Sequence, residues 1–342
     1  MTAPGAPLLT VMDLRSYLST GQGVVRAVDG VSFTLHEAEI LGIVGESGSG
    51  KSVTCRTIVG LTPAGAATHS SGEVIYHPRG ERNLLDARKA ELQALRGSQL
   101  AMIFQDPMTA LNPVLNVGDQ LMEAVQAHQK VTAADARTRA VALLRRVGIP
   151  APEQRMRDYP FQFSGGMLQR AMIAIALASS PRLLLADEPT TSLDVIIQDQ
   201  ILSLLLDLQQ DTGMSMILVS HDLAVISEVC DRIIVMYAGQ VVEEGPAAEI
   251  ITRPKHPYTQ ALLDAVPQGD QRGQLRSIRG TPPSLIDVPG GCRFAPRCRH
   301  AVEECLTWET ELIETSGQGQ LARCWRHHEV GRSAEWQASD SV

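Results

Sequence analysis

Hydrophobic positions in this chain come in short runs, and several of the runs end in residues that carry chemistry. Over the first 40 residues the apolar positions fall at Leu8 to Leu14, Val24–Val28 and Val31–Leu35, with the polar loop Ser19–Gly23 between them. That texture predicts an antiparallel β flank. Leu41, Ile43 and Val44 follow as a buried strand, and a helix is predicted from about Lys51 to Val59. Residues 60–80 are rich in Gly, Ala, Thr and Pro around one short strand, Glu73–Tyr76, and the run Leu100 to Met108 predicts another, ending at Gln105 and Pro107. Val117–His128 and Ala133–Val147 carry apolar residues at helical spacing, closed by Gly148-Ile149-Pro150. A helix from about Gly165 to Ala178 is apolar nearly all round and therefore buried.

After Pro181 strands and helices alternate: Leu183–Ala186, Val195–Gln210, Ser215–Val219, Leu223–Cys230 and Ile233–Met236. The fold class this implies is α/β, a mainly parallel sheet covered by helices with an antiparallel β flank. Gln240–Gly245 predicts a short hairpin arm, and beyond Pro254 turns, prolines and cysteines dominate. The expected domains are 1–255, with a helical subdomain at about 106–178, and a cysteine-rich C-terminal extension at 256–342.

A length of 342 residues allows one large or two modest domains. The balance of 30 Lys+Arg against 38 Asp+Glu argues against a chain-wide basic face, so no nucleic-acid partner is expected. No basic stretch followed by an apolar one opens the chain, and no apolar run approaches the ~18 residues that span a bilayer. The expectation is a soluble cytoplasmic protein whose membrane role comes through partners.

Leu41 to Ser52 reads LGIVGESGSGKS, an apolar strand breaking into G-x-x-x-x-G-K-S. Gly45, Gly48 and Gly50 free the backbone to wrap an anion with its N–H groups, with Glu46, Ser47 and Ser49 in the same loop. Lys51 reaches the outer phosphates and Ser52 offers a hydroxyl to Mg²⁺. The following helix points its positive N-terminus at the same place. Leu183 to Glu188 is an apolar strand ending in two carboxylates. Asp187 there suits Mg²⁺, and Glu188 suits proton acceptance from an attacking water. His221 sits at another strand end and suits a sensor of the terminal phosphate, although a lone histidine is more often structural. Gln105, again at a strand end, suits contact with Mg²⁺ or with water.

The order of these elements, with Phe163-Ser164-Gly165-Gly166-Met167 before the acidic strand and Ser192-Leu193-Asp194 after it, resembles the ATP-binding-cassette (ABC) ATPases. QDPMTALNP at 105–113, YAGQVVEEG at 237–245 and HPYTQALL at 256–263 resemble the ATPase subunits of dipeptide and oligopeptide importers. The resemblance covers nearly the whole chain. It implies a phosphate-loop ABC ATPase core that binds ATP and Mg²⁺ in a head-to-tail pair with a second ABC ATPase subunit, favouring a related chain. It also implies two membrane permease subunits, an extracytoplasmic peptide-binding protein acting indirectly, and a peripheral place on the cytoplasmic face of the inner membrane.

Carried over, the resemblance makes Gly45 to Ser52 the phosphate binders, Asp187 a helper of the metal and Glu188 the general base. His221 would contact the γ-phosphate and Gln105 would link the site to the permeases. Ser164, Gly165 and Gly166 would complete the partner's site, and Asp194 would communicate across the interface. The aromatic that stacks on adenine aligns nearest Leu18, with Tyr17 beside it, so either Tyr17 stacks or apolar contact alone holds the base. Ala38 stands where a glycine is usual. An importer of nickel or another small solute, and a soluble non-transport ABC protein, are the alternatives.

Cys55 and Cys230 sit in apolar contexts and are expected in the core. Cys292, Cys298, Cys305 and Cys324 follow the spacing C-x5-C-x6-C-x18-C. Without a tight C-x2-4-C clip they suit zinc less than a 4Fe–4S cluster, which takes four cysteines; zinc and free thiols remain open. The extension resembles that of peptide-importer ATPases, where such cysteines hold a cluster in some members. Arg293, Arg297, Arg299, Arg323 and Arg326 lie among them and would offset thiolate charge.

Overall fold

The computed structural model describes residues 5–61, 67–80, 82–191, 193–265, 278–308, 310–316 and 319–330. In chain order the strands are β1 Pro7–Thr20, β2 Gly23–His36, β3 Ile40–Val44, β4 Ala67–Tyr76, β5 Leu100–Ile103, β6 Leu183–Asp187, β7 Ser215–Ser220, β8 Arg232–Tyr237, β9 Gln240–Pro246, β10 Ile313–Ser316 and β11 Gln320–Ala322. The helices are α1 Lys51–Ile58, α2 Lys89–Leu95, α3 Pro107–Ala110, α4 Val117–His128, α5 Ala133–Arg146, α6 Pro152–Arg155, α7 Gly165–Ala176, α8 Val195–Thr212, α9 Leu223–Val229, α10 Ala247–Thr252, α11 Pro257–Asp264 and α12 Glu303–Thr307. The chain divides into two compact units, one drawn from residues 1–8, 35–39 and 86–219, the other from 9–34, 40–85 and 220–342.

In the first unit β5, β6 and β7 run parallel, with Leu100 opposite Leu183 and Leu183 opposite Ser215. Every residue of β6 and β7 is buried, as continuous apolar runs in a parallel sheet require. The helices show the 3.6-residue period. Val117, Leu121 and Val125 line one face of α4, and Ala136, Ala140 and Leu144 one face of α5. Buried Leu168, Ala171, Met172 and Ile173 make α7 the apolar helix of the set. Each starts on a side chain that accepts an N–H: Asn116 from Asp119, Thr132 from Asp135 and Ser164 from Met167. Truncating Leu144 to alanine inside this packing would cost about 2–5 kcal/mol.

The run expected as a strand from Leu100 to Met108 stops at Ile103. Asp106 accepts the Met108 N–H and Pro107 takes the first helical position, so the local chemistry starts α3 instead.

In the second unit β2, β1 and β4 form the antiparallel flank. Strand β4 is longer than the expected Glu73–Tyr76, pairing with β1 from Leu9–Tyr76 to Ser19–Ala67. Strand β3 lies parallel to β8, β9 turns back antiparallel on β8, and β11 and β10 continue outward from β9. Residues of the C-terminal extension thereby extend the strand set that begins with the phosphate strand. Cys55 and Cys230 are buried, as expected.

Candidate nucleotide site

The second unit holds the phosphate loop. β3 is fully buried, and the chain leaves it through Gly45 at φ 154° and enters α1 through Gly50 at φ 104°. A Cβ on Gly45 would lie 2.1 Å from the Met236 carbonyl oxygen, and one on Gly50 2.2 Å from that of Ala27. Both positions therefore need glycine for conformation and for space. Lys51 is buried, and its Nζ donates to the carbonyl oxygens of Gly45 (2.7 Å) and Glu46 (3.0 Å), bridging the loop it is expected to complete. Ser49 N–H donates to the Glu46 carbonyl (3.1 Å), closing a turn at Glu46-Ser47-Gly48. Ser52 lies in the first turn of α1, so its hydroxyl and the N-terminal amides of the helix share one end.

Tyr17, on β1, is part-buried. Its hydroxyl donates to Asp29 (2.5 Å) and accepts from Arg15 (3.4 Å). Burial and the bond to Asp29 hold that phenol above its usual pKa. His221 is exposed just after β7, and Asp222 beside it caps α9 by accepting from Ala224 and Val225.

In the first unit Asp187 ends β6, fully buried, and Glu188 follows at φ 49° with 8% exposure. That left-handed conformation disfavours any side chain but turns Glu188 sharply out of the strand. Its N–H donates to the Val219 carbonyl (3.1 Å), which anchors the turn on β7. Two donors converge on Glu188 Oε2: Gln105 Nε2 at 3.0 Å and Thr191 Oγ1 at 2.8 Å. Gln105, expected at Mg²⁺ or water, is thus brought to the carboxylate expected to act as base. Thr191 is a site residue that spacing alone did not mark. The Asp187 carboxylate and the Gln105 amide oxygen in this unit, and separately the Ser52 hydroxyl in the other, are oxygen donors of the hard kind that Mg²⁺ selects.

Ser164 is exposed at the start of α7, with Gly165 and Gly166 in its first turn. Asp194 is exposed at the start of α8, next to Val195 and Ile196 at 79% and 73% exposure. Ser192 lies outside the described residues.

Cys292, Cys298, Cys305 and Cys324 line one hollow of about 20 Å³, together with His256 and Phe294, and none is in a disulfide. Burial, with the neighbouring thiols, pushes Cys298 up to about 11 and Cys324 up to about 12. No group of three or more metal-ligating side chains among the described residues is placed to hold an ion. Donor number and kind fit a four-cysteine cluster, while the hollow is nearer the size of a water than of a cluster.

Four of the neighbouring arginines have carboxylate or carbonyl partners, while the charges of Arg323 and Arg326 also favour the thiolates of Cys292 and Cys298, in line with the expectation. Arg293 pairs with Asp29, Arg297 with Glu46 and Arg326 with Glu329, while Arg323 donates to the carbonyls of Val241 and Thr310.

A strand–glycine loop–helix ending in Gly-Lys-Ser, with an apolar strand closing in Asp-Glu, defines a phosphate-loop nucleoside triphosphatase. The ABC transporter family model matches residues 28–191, and the model described as the oligopeptide/dipeptide transporter C-terminal region matches 242–305. The chain is 48% identical over 325 residues to a probable peptide ABC transporter ATP-binding protein of Sinorhizobium fredii, covering 94% of this chain and 96% of that one. It is 48% identical to the dipeptide transport ATP-binding protein DppD of Bacillus subtilis (93% and 94% covered). Against the oligopeptide transport protein OppD of Escherichia coli the identity is 45%, with 93% of each covered. A solved ATP-binding cassette, MJ0796 in a dimeric post-hydrolysis state with ADP and Pi, superposes with a TM-score of 0.62 at 28% identity, over 70% of this chain and 98% of that one. The chain belongs to the ABC transporter ATP-binding proteins, in their oligopeptide/dipeptide group.

Proposed function

We propose that this chain hydrolyses ATP to power the import of di- or oligopeptides through a membrane ABC transporter. The observation that carries this reading is the identity to peptide, dipeptide and oligopeptide transport proteins over nearly the full length, extension included. Gly45 to Ser52 wrap the phosphates, and Ser52, Asp187 and Gln105 would hold Mg²⁺, which would supply charge neutralisation. Glu188 takes the proton of the attacking water as its oxygen bonds to the γ-phosphorus and the bond to the β-phosphate oxygen breaks, leaving ADP. The bonds from Gln105 and Thr191 fix the carboxylate for that task. His221 contacts the γ-phosphate, and Tyr17 meets the adenine.

Ser164, Gly165, Gly166 and Asp194 serve a second ABC ATPase subunit, a related chain, and Val195 and Ile196 next to Asp194 are exposed as well. ATP then joins the two subunits, and hydrolysis releases them because ADP favours the open state. The pair works with two permeases at the cytoplasmic face of the inner membrane, and no helix among the described residues is long and apolar enough to cross it. The four cysteines of the 256–342 domain are the residues that would hold a 4Fe–4S cluster, which would serve a structural or regulatory use. Co-purification with the permeases, followed by phosphate release in the presence of the peptide-loaded binding protein, tests the reading. Stimulation by peptides supports it, and stimulation by nickel but not peptides overturns the substrate class.

A further inference from the structure

The C-terminal extension holds the phosphate loop from outside. The Glu46 N–H donates to the Tyr258 hydroxyl (2.8 Å), and the Glu46 carboxylate receives both arms of the Arg297 guanidinium, at 2.7 and 3.0 Å. The Arg297 side chain is 4% exposed. It also donates to the Tyr237 hydroxyl (3.2 Å) and the Arg279 carbonyl (2.8 Å), and it stands 5.7 Å from the centre of the Tyr237 ring. Tyr237, Tyr258 and Phe294 pack with ring centres 4.6–5.3 Å apart beneath this pair.

A second strut runs alongside. Arg293 donates to the Ala238 carbonyl (2.5 Å) and pairs with Asp29, while the next residue, Gly239, donates its N–H to the Ser49 carbonyl (2.9 Å) in the phosphate loop. Cys292 and Cys298 flank the segment that bears both arginines, and the Cys292 N–H donates to the Cys305 carbonyl (2.8 Å). The phosphate chemistry uses neither the Glu46 side chain nor Arg297. A glycine-rich loop must be ordered when it binds, and contacts that order it beforehand lower that cost.

We propose that Arg297, with Tyr258, is a positioning residue for ATP binding, and that the four-cysteine segment passes its own state to the phosphate loop through Arg297. The first half needs only a phosphate loop that binds ATP; the second rests on the cluster reading above. The Tyr of the HPY stretch thereby acquires a physical task, since the Glu243 carboxylate accepts the Lys255 and His256 N–H groups and His256 caps α11, setting Tyr258 in place.

The test is the Kd of a fluorescent Mg·ATP analogue for the full chain and for Arg297→Ala, Arg297→Lys, Glu46→Gln, the double variant Arg297→Ala/Glu46→Gln, Cys292→Ser/Cys298→Ser, and the last combined with Arg297→Ala. Thermal unfolding is followed on each, with KM and kcat from phosphate release. Removing one partner of this part-buried ion pair should weaken binding about tenfold, within the range of coupling between a site and a group that does not touch the ligand. The double variant should be no weaker than the worse single, lysine should recover part of the loss, and KM should rise more than kcat falls. The cysteine variant should weaken binding alone and add nothing to Arg297→Ala. Binding within twofold of the parent in a cooperatively folded Arg297→Ala, or in Glu46→Gln should Arg297→Ala not fold, overturns the brace. Full multiplication of the cysteine and arginine effects overturns the second half only, and an iron-free chain with an intact brace overturns the cluster and the second half with it, leaving the brace.

Discussion

Glu188→Gln separates binding from chemistry. The carboxylate is 8% exposed, and Gln105 and Thr191 both donate to its Oε2. A glutamine can turn its amide oxygen to the same two donors, so the local hydrogen bonds survive with neutral instead of charged acceptance. That exchange changes stability by about 1–2 kcal/mol at most, because the lost charge assistance is offset by no longer burying a charge. What disappears is the proton acceptor. General-base removal costs about 10²–10⁴ in rate, roughly 3–5 kcal/mol of barrier. Phosphate release should therefore fall by at least about a hundredfold, while ATP affinity stays near that of the parent. With ATP present the variant should elute from a sizing column as a persistent closed dimer. Hydrolysis within threefold of the parent rate would refute the assignment of Glu188 as base.

Two further predictions read single positions. Ala38 adopts φ 60°, where a glycine would sit without strain, and its N–H and carbonyl bonds to Ser215 and Gln209 are independent of the side chain. Ala38→Gly should raise unfolding free energy by about 0.5–1 kcal/mol, the relief of left-handed strain less the added freedom of the unfolded chain; lower stability in urea titration would show that the strain argument is wrong. Burial, with Arg323 nearby, pulls His256 down to about 3 from the ordinary 6.5, so the unfolded chain takes up its proton first. Stability that depends on neutral His256 is present above pH 6.5 and is lost as pH falls below it. His256→Asn keeps a cap acceptor for Tyr258, and its stability relative to the parent should rise between pH 7 and pH 5. Glu243, which faces His256 and is pushed up to about 7 by burial, is common to both proteins and drops out of the difference. A difference independent of pH would contradict the buried neutral imidazole.

Local signals were legible and distant ones were not. The apolar period and the cap residues mark α4 at Val117–His128 with the observed ends, and the glycine loop announces β3 and α1. Strand β5 was overextended because Asp106 and Pro107 start a helix, a decision made by one cap and one ring. Strand β4 was cut short because Gly72, Ser70 and Ser71 carry little strand texture, and its pairing with β1 supplies what the residues lack. The partners of Tyr258 and Arg297 lie 212 and 251 residues away, beyond any periodicity or spacing rule. A cluster of arginines among cysteines reads as charge compensation, and only the fold reveals that two of them grip Glu46 and Asp29. The stretch HPYTQALL marked the family without revealing that its tyrosine meets the phosphate loop.

The central claim, that ATP hydrolysis by this chain drives peptide import, is tested most directly by uptake into sealed vesicles. The complete complex and its binding protein are reconstituted with this chain or its Glu188→Gln form, and accumulation of a labelled dipeptide is followed with ATP on the side of the ATPase subunits. The account predicts ATP-dependent accumulation with the parent chain and none above background with Glu188→Gln. Equal accumulation with both chains, or accumulation without ATP, would contradict it.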